Sequence, residues 1–587
     1  MRKILKRLQG RELGMIAVSL VFIILQVYLD LKLPDYMSEI TRLVQTPGSA
    51  VGDVWWAGLK MLLITLASAG TSVVVGYFAS HVSASFSYRL RGEVFGRVTT
   101  FSMEEMNGFS TASLITRTTN DITQIQMIIA MGLQVLIKAP ILAVWAMLKI
   151  SRITWQWTTL TAVAVVALLA IVCAVMAYAM PRFRKIQTLT DNINRITRET
   201  LTGLRVVRAY NAESYQEARF EEANEDITSN NLSAHRAMTV FNPGMQLVIS
   251  GMSIGIYWIG AYLIEAAGQL ESKIALFSDM IVFSSYAMQM LMAFMMLTMV
   301  FIMAPRVIVS IRRVNEVLDT EPKINDGPGA VSDPAVTGEV EFRNVSFMYP
   351  GAEDFVMRDI SFKAKKGETV AFIGSTGSGK STLINLVPRF YDVTDGQVLI
   401  DGIDVREYTQ VQLRDKLGYV PQRAVLFAGT VSDNVTFGDS PRELGGEDAV
   451  KRAVAVAQST DFVEAMTGGY DADLSQGGTN LSGGQKQRLS IARAVYRKPE
   501  IYIFDDSFSA LDYKTDRLLR SALKRETGGV TNLIVAQRIG TIREADKIIV
   551  LDEGKQVGEG THDELMRSCE IYREIAYSQL SKEELGE

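Results

Sequence analysis

The sequence has little of what marks disulfide-bonded or nucleic-acid-binding proteins. Its 587 residues include only two cysteines, Cys173 in an apolar run and Cys569. Two thiols so placed cannot form a disulfide framework, and we expect them to be buried or to have no role. The formal net charge is -4, so the chain lacks the basic surplus that usually accompanies nucleic-acid binding. We therefore expect no nucleic-acid partner.

The N-terminal segment also lacks a signal-peptidase site, although it begins like a secretory leader. The basic stretch "MRKILKRLQG" is followed by an apolar stretch from about Met15 to Leu33. That stretch is nearly twice as long as the core of a signal peptide, and no A-x-A motif follows it. The pattern predicts a retained membrane-spanning helix.

Long apolar runs, in contrast, are abundant. Hydrophobic residues make up 48% of the chain, and its mean hydropathy is +0.14, which is high for a purely soluble protein. A helix needs about 20 apolar residues to cross the hydrocarbon core of a bilayer, which is about 30 Å thick. Stretches of this kind occur at approximately 14–33, 55–79, 127–149, 154–180, 244–265 and 276–304. We therefore predict a six-span α-helical transmembrane domain over residues 1–320.

The basic residues predict the orientation of this domain. Five of them precede the first span, and nine lie within residues 182–236, between the fourth and fifth spans. The connections on the opposite side hold little more than Arg42, Lys149, Arg152 and Lys273. By the positive-inside rule, both termini face the cytoplasm. We expect a multi-pass protein of the cell membrane.

Two of the predicted cytoplasmic connections are long, roughly 45 and 60 residues, and have helical patterns. Structureless loops of such length are unusual in compact domains. Helices that continue beyond the bilayer, turn and return would fit these connections. Gly108 and Gly203 are the breaks at which the turns are predicted.

The composition changes after Pro305. Residues 321–338 are polar and rich in proline and glycine, which is typical of a linker. From about Glu339, short β-type runs such as "TVAFIG" and "NLIVAQ" alternate with helical patterns. This alternation predicts an α/β domain with a largely parallel sheet over residues 339–587.

The segment "GSTGSGKST" (374–382) matches the P-loop pattern G-x-x-x-x-G-K-[ST] between a strand and a helical pattern. The glycines let backbone N–H groups converge on phosphates, and the helix N-terminus adds its dipole. Lys380 would supply a charge to the β and γ phosphates, and Ser381 a hydroxyl to Mg²⁺. The predicted cofactor-binding residues here are Ser375, Thr376, Gly377, Ser378, Gly379, Lys380, Ser381 and Thr382.

The segment "IYIFDD" (501–506) supplies the second element of a P-loop NTPase. A buried strand would deliver Asp505 to the magnesium shell. Apolar strands often end in aspartate, but with a P-loop upstream the two motifs together predict ATP and Mg²⁺ as cofactors.

The segment "NLSGGQKQR" (480–488) resembles the signature sequence of ATP-binding cassette (ABC) proteins, and further elements fit that family in order and spacing. Tyr349 resembles the aromatic residue that stacks on adenine. Gln422 resembles the Q-loop residue that touches Mg²⁺ and the membrane domain, and Asp512 lies in "SALD", which resembles the D-loop. The cytoplasmic connections resemble coupling-helix regions. An ABC exporter half-transporter is implied, with an α/β P-loop nucleotide-binding domain after the six spans.

Each of these residues also has an ordinary structural interpretation. Tyr349 could be a strand aromatic, and Gln422 could be a loop amide without a ligand. Ser482 and Gly483 could form a plain helix N-terminus, where serine is favoured.

The family pattern is broken at the positions that perform hydrolysis. Asp506 stands where the family has the glutamate that polarises the attacking water, and Gln537 replaces the switch histidine. A carboxylate set back by about 1 Å can lose on the order of a hundredfold in rate. A neutral amide cannot share a proton or a charge with the γ-phosphate. The alternative is that both residues are tolerated variants in a working site. A milder departure is Gln476, where exporters usually have glutamate.

The resemblance implies that each nucleotide is sandwiched between the P-loop of one chain and the signature of the other. The site that contains Asp506 and Gln537 would bind MgATP but hydrolyse it slowly. The intact signature, which comprises Leu481, Ser482, Gly483, Gly484 and Gln485, would serve a partner's site. This asymmetry resembles heterodimeric bacterial multidrug exporters with one degenerate ATP site. The expected partner is a non-identical half-transporter with the consensus glutamate and histidine.

The substrate is less well indicated. Eight methionines lie between Met280 and Met303, and they could line a polyspecific cavity or simply fill helix interfaces. Lys138, within the third span, could meet an anionic substrate group, pair across helices or snorkel to the interface. Trp145, Trp155 and Trp157 are expected to form an interfacial belt.

Taken together, these features predict ATP-driven export of small hydrophobic or amphipathic compounds, with membrane lipid as the surroundings. Lipid flipping or peptide export is the first alternative within transport. A regulatory subunit that binds ATP with little hydrolysis is the alternative from another class.

Overall fold

The computed structural model describes residues 3, 6–46, 48–151, 153–330, 337–439 and 445–579. The chain divides into two compact units. Unit 1 comprises Met1–Arg97 and Ala112–Asp319, and unit 2 comprises Val98–Thr111 and Thr320–Glu587. Arg152, residues 331–336 of the predicted linker and residues 440–444 and 580–587 of the predicted α/β domain lie outside the described residues.

The N-terminal half is helical. Its helices are, in chain order, α1 (Gly10–Asp30), α2 (Leu33–Gln45), α3 (Val51–Thr99), α4 (Met103–Gly108), α5 (Thr111–Thr116), α6 (Ile122–Met131), α7 (Lys138–Ile150), α8 (Trp155–Thr202), α9 (Leu204–Ala209), α10 (Glu213–Ala266) and α11 (Leu270–Asp319). Two π-helical turns, Arg117–Asp121 and Gly132–Leu136, connect α5, α6 and α7. Among the residues that the structure describes, six helical stretches are long and apolar enough to cross a membrane, and each predicted span overlaps one of them.

The long helices extend well beyond a bilayer. With 49 residues, α3 is about 70 Å long at 1.5 Å per residue, more than twice the hydrocarbon thickness. The turns at the ends of these extensions lie where the sequence predicts them. Helix α4 ends at Gly108, and Gly203 separates α8 from α9. Both predicted breaks are therefore confirmed.

The core of unit 1 contains one of the tryptophans that we expected at a membrane interface. The side chain of Trp157 is fully buried, its Nε1 donates to the backbone oxygen of Ile256 at 3.1 Å, and its ring lies 5.3 Å from that of Phe283. The interfacial expectation is wrong for Trp157, because its ring is buried against Phe283 and its N–H is hydrogen-bonded to the backbone of α10. Trp155, two residues earlier, is exposed as expected.

Lys138 pairs across helices, which is one of the three alternatives that the sequence left open. Its Nζ lies 3.0 Å from Oδ2 of Asp30 at the end of α1. A second ion pair, 3.0 Å long, joins Lys149 to Asp35 in α2. A paired charge is much less costly within a membrane span than an isolated one. Of the two cysteines, Cys569 is buried as expected, whereas Cys173 is exposed.

Unit 2 is an α/β domain that also includes α4. Its strands are β1 (Val340–Phe347), β2 (Met357–Ala364), β3 (Thr369–Gly374), β4 (Asp395–Ile400), β5 (Ile403–Asp404), β6 (Leu417–Val420), β7 (Gly429–Thr430), β8 (Asp473–Leu474), β9 (Ile501–Asp505), β10 (Thr531–Val535), β11 (Lys547–Asp552) and β12 (Lys555–Gly560). Its further helices are α12 (Lys380–Leu386), α13 (Gln410–Asp415), α14 (Val431–Val435), α15 (Gly446–Val456), α16 (Thr460–Glu464), α17 (Gly483–Tyr496), α18 (Tyr513–Glu526), α19 (Ile539–Ile542), α20 (His562–Ser568) and α21 (Glu570–Gln579).

The main sheet has the strand order β12-β11-β3-β10-β9-β6. Its strands are parallel except for β12, which pairs antiparallel with β11. A four-stranded antiparallel sheet, β2-β1-β4-β5, forms a second layer. The predicted fold class, a six-span helical domain followed by an α/β domain, is confirmed.

The register of the main sheet brings the predicted motifs together. Asp505, the last residue of β9, pairs with Val535, the last residue of β10, while β3 ends at Gly374. The carboxyl ends of parallel strands meet at one edge, which is where ligands bind in open α/β sheets. The P-loop, Asp506 and the loop that contains Gln537 all leave the sheet at this edge.

Candidate nucleotide-binding site

The P-loop connects β3 to α12, and two of its glycines are required for different reasons. A Cβ added at Gly374 would lie 1.9 Å from the backbone oxygen of Leu551 and 2.9 Å from Oγ of Ser378. Gly377 has open space around it but a φ of 88°, which side chains rarely tolerate. Gly374 thus allows the P-loop to pass close to β11, and Gly377 allows a turn with a positive φ.

We expect Gly374→Ala to weaken ATP binding by about tenfold or more, because the methyl group would push the P-loop away from β11. Equilibrium binding of a fluorescent ATP analogue to the purified protein measures this. Gly351→Ala is the matched control, since Gly351 also has a positive φ but nothing within 4 Å. Equal affinities for the two variants would contradict the close-approach argument.

Lys380 is held inside the P-loop by oxygen atoms. Its Nζ donates to the backbone oxygens of Gly374 at 2.9 Å and Ser375 at 2.7 Å, and to Oγ of Ser378 at 3.2 Å. Burial lowers the pKa of Lys380, and the nearby charges of Asp506 and Asp505 oppose this. The loop therefore keeps one cation beside the edge at which phosphates would bind.

Ser381 and Asp505 form the adjoining polar pair. Oγ of Ser381 donates to Oδ1 of Asp505 at 2.8 Å, and Asp505 is buried at the end of β9. Burial raises the pKa of Asp505 and the charge of Asp506 adds to this, while the hydrogen bond from Ser381 and the charge of Lys380 act in the opposite direction. Two adjacent buried carboxylates with a hydroxyl are hard oxygen ligands of the kind that Mg²⁺ prefers.

Asp506 is clamped by two amide groups. Its Oδ2 accepts from Nε2 of Gln422 at 3.2 Å and from Nε2 of Gln537 at 2.8 Å. Burial raises the pKa of Asp506, and hydrogen bonds from Gln422, Ser509 and Gln537 together with the charge of Arg538 oppose this rise. The backbone of Asp506 has a φ of 44°, and its N–H donates to Val535. Three residues predicted separately, Gln422, Asp506 and Gln537, thus form one hydrogen-bonded cluster.

Gln579 supports this cluster, and no sequence motif indicated it. Its Nε2 donates to the backbone oxygen of Gln537 at 2.7 Å, and its Oε1 accepts from the N–H of Ile539 at 2.8 Å. One side chain from α21 therefore fixes the backbone on both sides of Arg538. Only the fold brings position 579 to this loop, and the sequence has no local signal for it.

Tyr349 lies beside the P-loop helix. Its hydroxyl is 2.9 Å from Oγ1 of Thr382, and its ring meets that of Tyr391 edge-on, with 5.4 Å between centroids. The hydroxyl of Tyr391 in turn accepts from Nδ2 of Asn107 in α4 at 3.0 Å. Side-chain contacts within unit 2 thus run from the first long connection to the P-loop. Tyr391 is a further residue that the sequence did not single out.

The signature residues form a helix N-terminus. Oγ of Ser482 accepts from the N–H of Gln485 at 3.3 Å, and Oε1 of Gln485 accepts from the N–H of Ser482 at 2.8 Å. This capping box begins α17. Ser482 and Gly483 are exposed, whereas Leu481 and Gly484 are half-buried. No hydrogen bond joins the signature to residues 374–382 in the part of the chain that the structure describes.

Asp512 lies outside the Asp506 cluster. It is exposed and caps α18, where its Oδ1 accepts from the N–H of Thr515 at 3.0 Å. Hydrogen bonding to Thr515 lowers the pKa of Asp512.

Two other predicted or noted residues lie elsewhere on the domain. In the P-loop, Oγ of Ser375 donates to Asp552 at 3.3 Å. Gln476, at the start of a short 3-10 turn, is exposed.

Comparison with known proteins agrees with this geometry. Residues 16–294 match the family model of the ABC transporter transmembrane region, and residues 357–509 match that of the ABC transporter domain. An uncharacterized ABC transporter ATP-binding protein of Mycobacterium tuberculosis is 40% identical over 549 residues, which cover 93% of both chains.

Two further similarities are to a lipid flippase and to an exporter of known structure. The ATP-dependent lipid A-core flippase of Pseudomonas fluorescens is 32% identical over 547 residues, covering 92% of this chain and 86% of the flippase. A solved structure of a bacterial Atm1-family ABC exporter with ATP bound superposes with a TM-score of 0.80 at 25% identity, over 97% of this chain and 98% of that one. The chain belongs to the ABC transporter family and is an ATP-driven, multi-pass exporter half-transporter with an ATP-binding domain.

Proposed function

We propose that this chain is the degenerate-site half of a heterodimeric exporter of hydrophobic or amphipathic compounds. The observation that supports this most directly is the amide clamp on Asp506. A general base needs a free lone pair within about 2.6–3.2 Å of the water that it activates. Oδ2 of Asp506 already accepts two amide hydrogens, from Gln422 and Gln537. This oxygen is therefore occupied as an acceptor, and the side chain is one methylene shorter than the family's glutamate.

Gln537 adds a second impairment. A histidine at this position can exchange a proton, whereas an amide is neutral at every physiological pH. The donor side of the Gln537 amide also points at Asp506. Both departures therefore act on the same step, the activation of water, and leave the nucleotide-binding residues of the P-loop unchanged. A site of this kind binds ATP firmly and hydrolyses it slowly.

The intact signature supports a non-identical partner. Two copies of this chain would pair two impaired sites. A partner with the consensus glutamate and histidine would place its own nucleotide against Leu481, Ser482, Gly483, Gly484 and Gln485 of this chain. This arrangement yields one competent site and one slow site in each transporter.

Mg²⁺ is proposed as the second cofactor. Ser381 and Asp505 would hold it, with the Oε1 of Gln422 as a third oxygen, since Nε2 of Gln422 is already used toward Asp506. When bound, the ion neutralises charge on the β and γ phosphates. These residues fit the ion because all three present oxygen atoms.

The cytoplasmic side is proposed for both termini and the ATP-binding domain. The basic residues of segment 182–236 lie beyond the apolar stretches, on the extensions of α8 and α10 and on the short helix α9 between them. The positive-inside rule assigns such segments to the cytoplasm. The chain would then reside in the cell membrane with its long extensions inside.

Lipid flipping is the second candidate, because the lipid A-core flippase relative spans most of this chain. The two functions differ in what stimulates hydrolysis. Stimulation by one headgroup class, with no response to hydrophobic dyes, would favour a lipid substrate.

Co-purification of the tagged chain with a second, untagged ABC chain is the first test. In that complex, we expect Asp506→Asn to lower ATP hydrolysis by less than about threefold, because a short carboxylate with Oδ2 held by two amides is a poor general base. Neutralising the equivalent glutamate of the partner is expected to lower it by about a hundredfold. Similar losses from the two changes, or rapid hydrolysis by a complex of this chain with itself, would contradict the proposal.

A further inference from the structure

Helix α21 is fixed by the core of the α/β domain and not by the nucleotide site. Its residues Tyr572 and Ala576 are buried in a cluster that also contains Ile373 of β3 and Ile548 of β11. Gln579, the last residue of α21, lies on the same face as these two residues by helical spacing. The core therefore determines where the Gln579 side chain can reach.

The Gln579 amide hydrogen-bonds one short stretch of backbone at both of its ends. Its Nε2 donates to the oxygen of Gln537 at 2.7 Å, and its Oε1 accepts from the N–H of Ile539 at 2.8 Å. Helix α19 begins at Ile539, and its N-cap residue, Arg538, makes no side-chain capping bond. Gln579 supplies an acceptor at this helix start. The reverse amide orientation would set oxygen against oxygen, so the two bonds fix the amide together.

The core anchors this loop on either side of the stretch that Gln579 holds. The N–H of Ala536 donates to the backbone of β3 at 3.2 Å, and the side chain of Ile539 is fully buried. Gln537 and Arg538, which lie between these anchors, are exposed. Gln579 thus fixes the part of the loop that the core leaves exposed, and this part carries the Gln537 side chain.

The Gln537 side chain acts on a charge beside the phosphate-binding lysine. Its Nε2 donates to Oδ2 of Asp506 at 2.8 Å. The negative charge of Asp506 acts on Lys380, which would bind the β and γ phosphates. The terminal phosphate of ATP and the Asp506 carboxylate would therefore repel each other, and a donated hydrogen bond offsets part of the carboxylate's charge. ADP lacks that phosphate and is much less affected.

We propose that Gln579 is a positioning residue for recognition of the terminal phosphate. It holds the backbone from which Gln537 donates to Asp506, and it thereby makes this site favour ATP over ADP. The inference goes beyond the proposed function, because it concerns how this chain's own P-loop site distinguishes nucleotides. It depends neither on the identity of the partner nor on the exported compound.

The test is equilibrium binding of two fluorescent nucleotides to the purified full-length transporter with Mg²⁺ present. The probes are N-methylanthraniloyl-ADP and the same label on AMPPNP, a triphosphate analogue that resists hydrolysis. Where the partner is a different chain, its P-loop lysine is replaced by alanine, so that binding reports on this chain's P-loop. A complex of the chain with itself is titrated in the same way.

Loss of the Gln579 amide should weaken binding of the AMPPNP probe by about fivefold, the effect of one typical hydrogen bond, and leave the ADP probe within about twofold. Gln579→Leu removes both bonds to the loop. Gln579→Glu keeps the length and the acceptor for Ile539 but not the donor for Gln537, so it should have a similar effect. Both changes are at an exposed helix end, where substitution is well tolerated.

A double variant shows whether Gln579 acts through Gln537. In a Gln537→Ala background, adding Gln579→Leu should change neither affinity further, because the group that it positions is gone. Ser578→Ala is the matched control. It removes a 2.8 Å hydrogen bond within α21, does not touch the loop, and should leave both affinities within about twofold of wild type.

Three results would overturn the assignment: equal losses of the ADP and AMPPNP probes, no loss of the AMPPNP probe in Gln579→Leu, or the same selective loss in the Gln537→Ala background. The first of these would show that α21 merely supports the domain. Each leaves the comparison of Asp506→Asn with the partner's glutamate untouched, so the proposed function stands or fails separately.

Discussion

ATP hydrolysis by the assembled transporter is expected to fall by about a hundredfold or more when Ser482 is replaced by aspartate. The carboxylate of Ser482→Asp would still cap α17, because aspartate is as good an N-cap as serine. In the proposed heterodimer, it would also place a negative charge where the signature would meet the γ-phosphate on the partner's P-loop. The measurement is steady-state ATP hydrolysis of the co-purified complex, together with nucleotide binding to this chain's own P-loop, which should not change.

The control for this prediction separates capping from catalysis. Thr409 begins α13 with the same kind of capping box, in which Gln412 takes the place of Gln485. Thr409→Ala removes that cap without touching the signature, so hydrolysis should remain within about twofold of wild type. If Ser482→Asp left hydrolysis intact, this chain would be a regulatory subunit that contributes no catalytic group.

Local motifs explain which parts of the site were predictable from the sequence. The P-loop is a continuous motif in which glycines occupy fixed positions, so Lys380 and Ser381 could be assigned directly from the sequence. Asp505 followed from an apolar strand, because the last residue of a buried parallel strand lies at the ligand edge. The six spans followed from composition and length alone.

Contacts between distant parts of the chain were not predictable in the same way. The approach of Gln537 to Asp506 depends on the register of β10 against β9, which no local pattern encodes. Gln579 reaches the same loop only because α21 packs against it. Trp157 was misplaced for a related reason, since a tryptophan near a span end has the same sequence signal whether it faces lipid or the bundle interior.

The ion pair of Lys138 with Asp30 shows where sequence reasoning can narrow the choices without deciding among them. A lysine within a span indicates a functional or paired charge, and three interpretations were open. Only the packing of α1 beside α7 selects Asp30 as the partner.

Restoring the family's residues at the proposed degenerate site is expected to raise hydrolysis there by about a hundredfold. The double variant is Asp506→Glu/Gln537→His, measured in a complex whose partner has its own catalytic glutamate neutralised, so that the background is low. Glutamate at position 506 is one methylene longer, so its carboxylate would extend past the amide of Gln422 that now holds Asp506. Histidine removes the second clamping amide and adds a group that can exchange a proton.

The single variants and a matched control show which of the two impairments dominates. Asp506→Glu alone should recover only about tenfold, because Gln537 can still donate to the longer carboxylate. Asp433→Glu makes the same chemical change at an exposed capping-box position of α14, where glutamate is equally suitable, and should have no effect. A double variant that binds ATP normally yet gains no hydrolysis would show that the slow turnover originates outside the Asp506 and Gln537 cluster. The hydrogen bonds from Gln422 and Gln537 to Asp506 would then accompany the slow turnover without causing it.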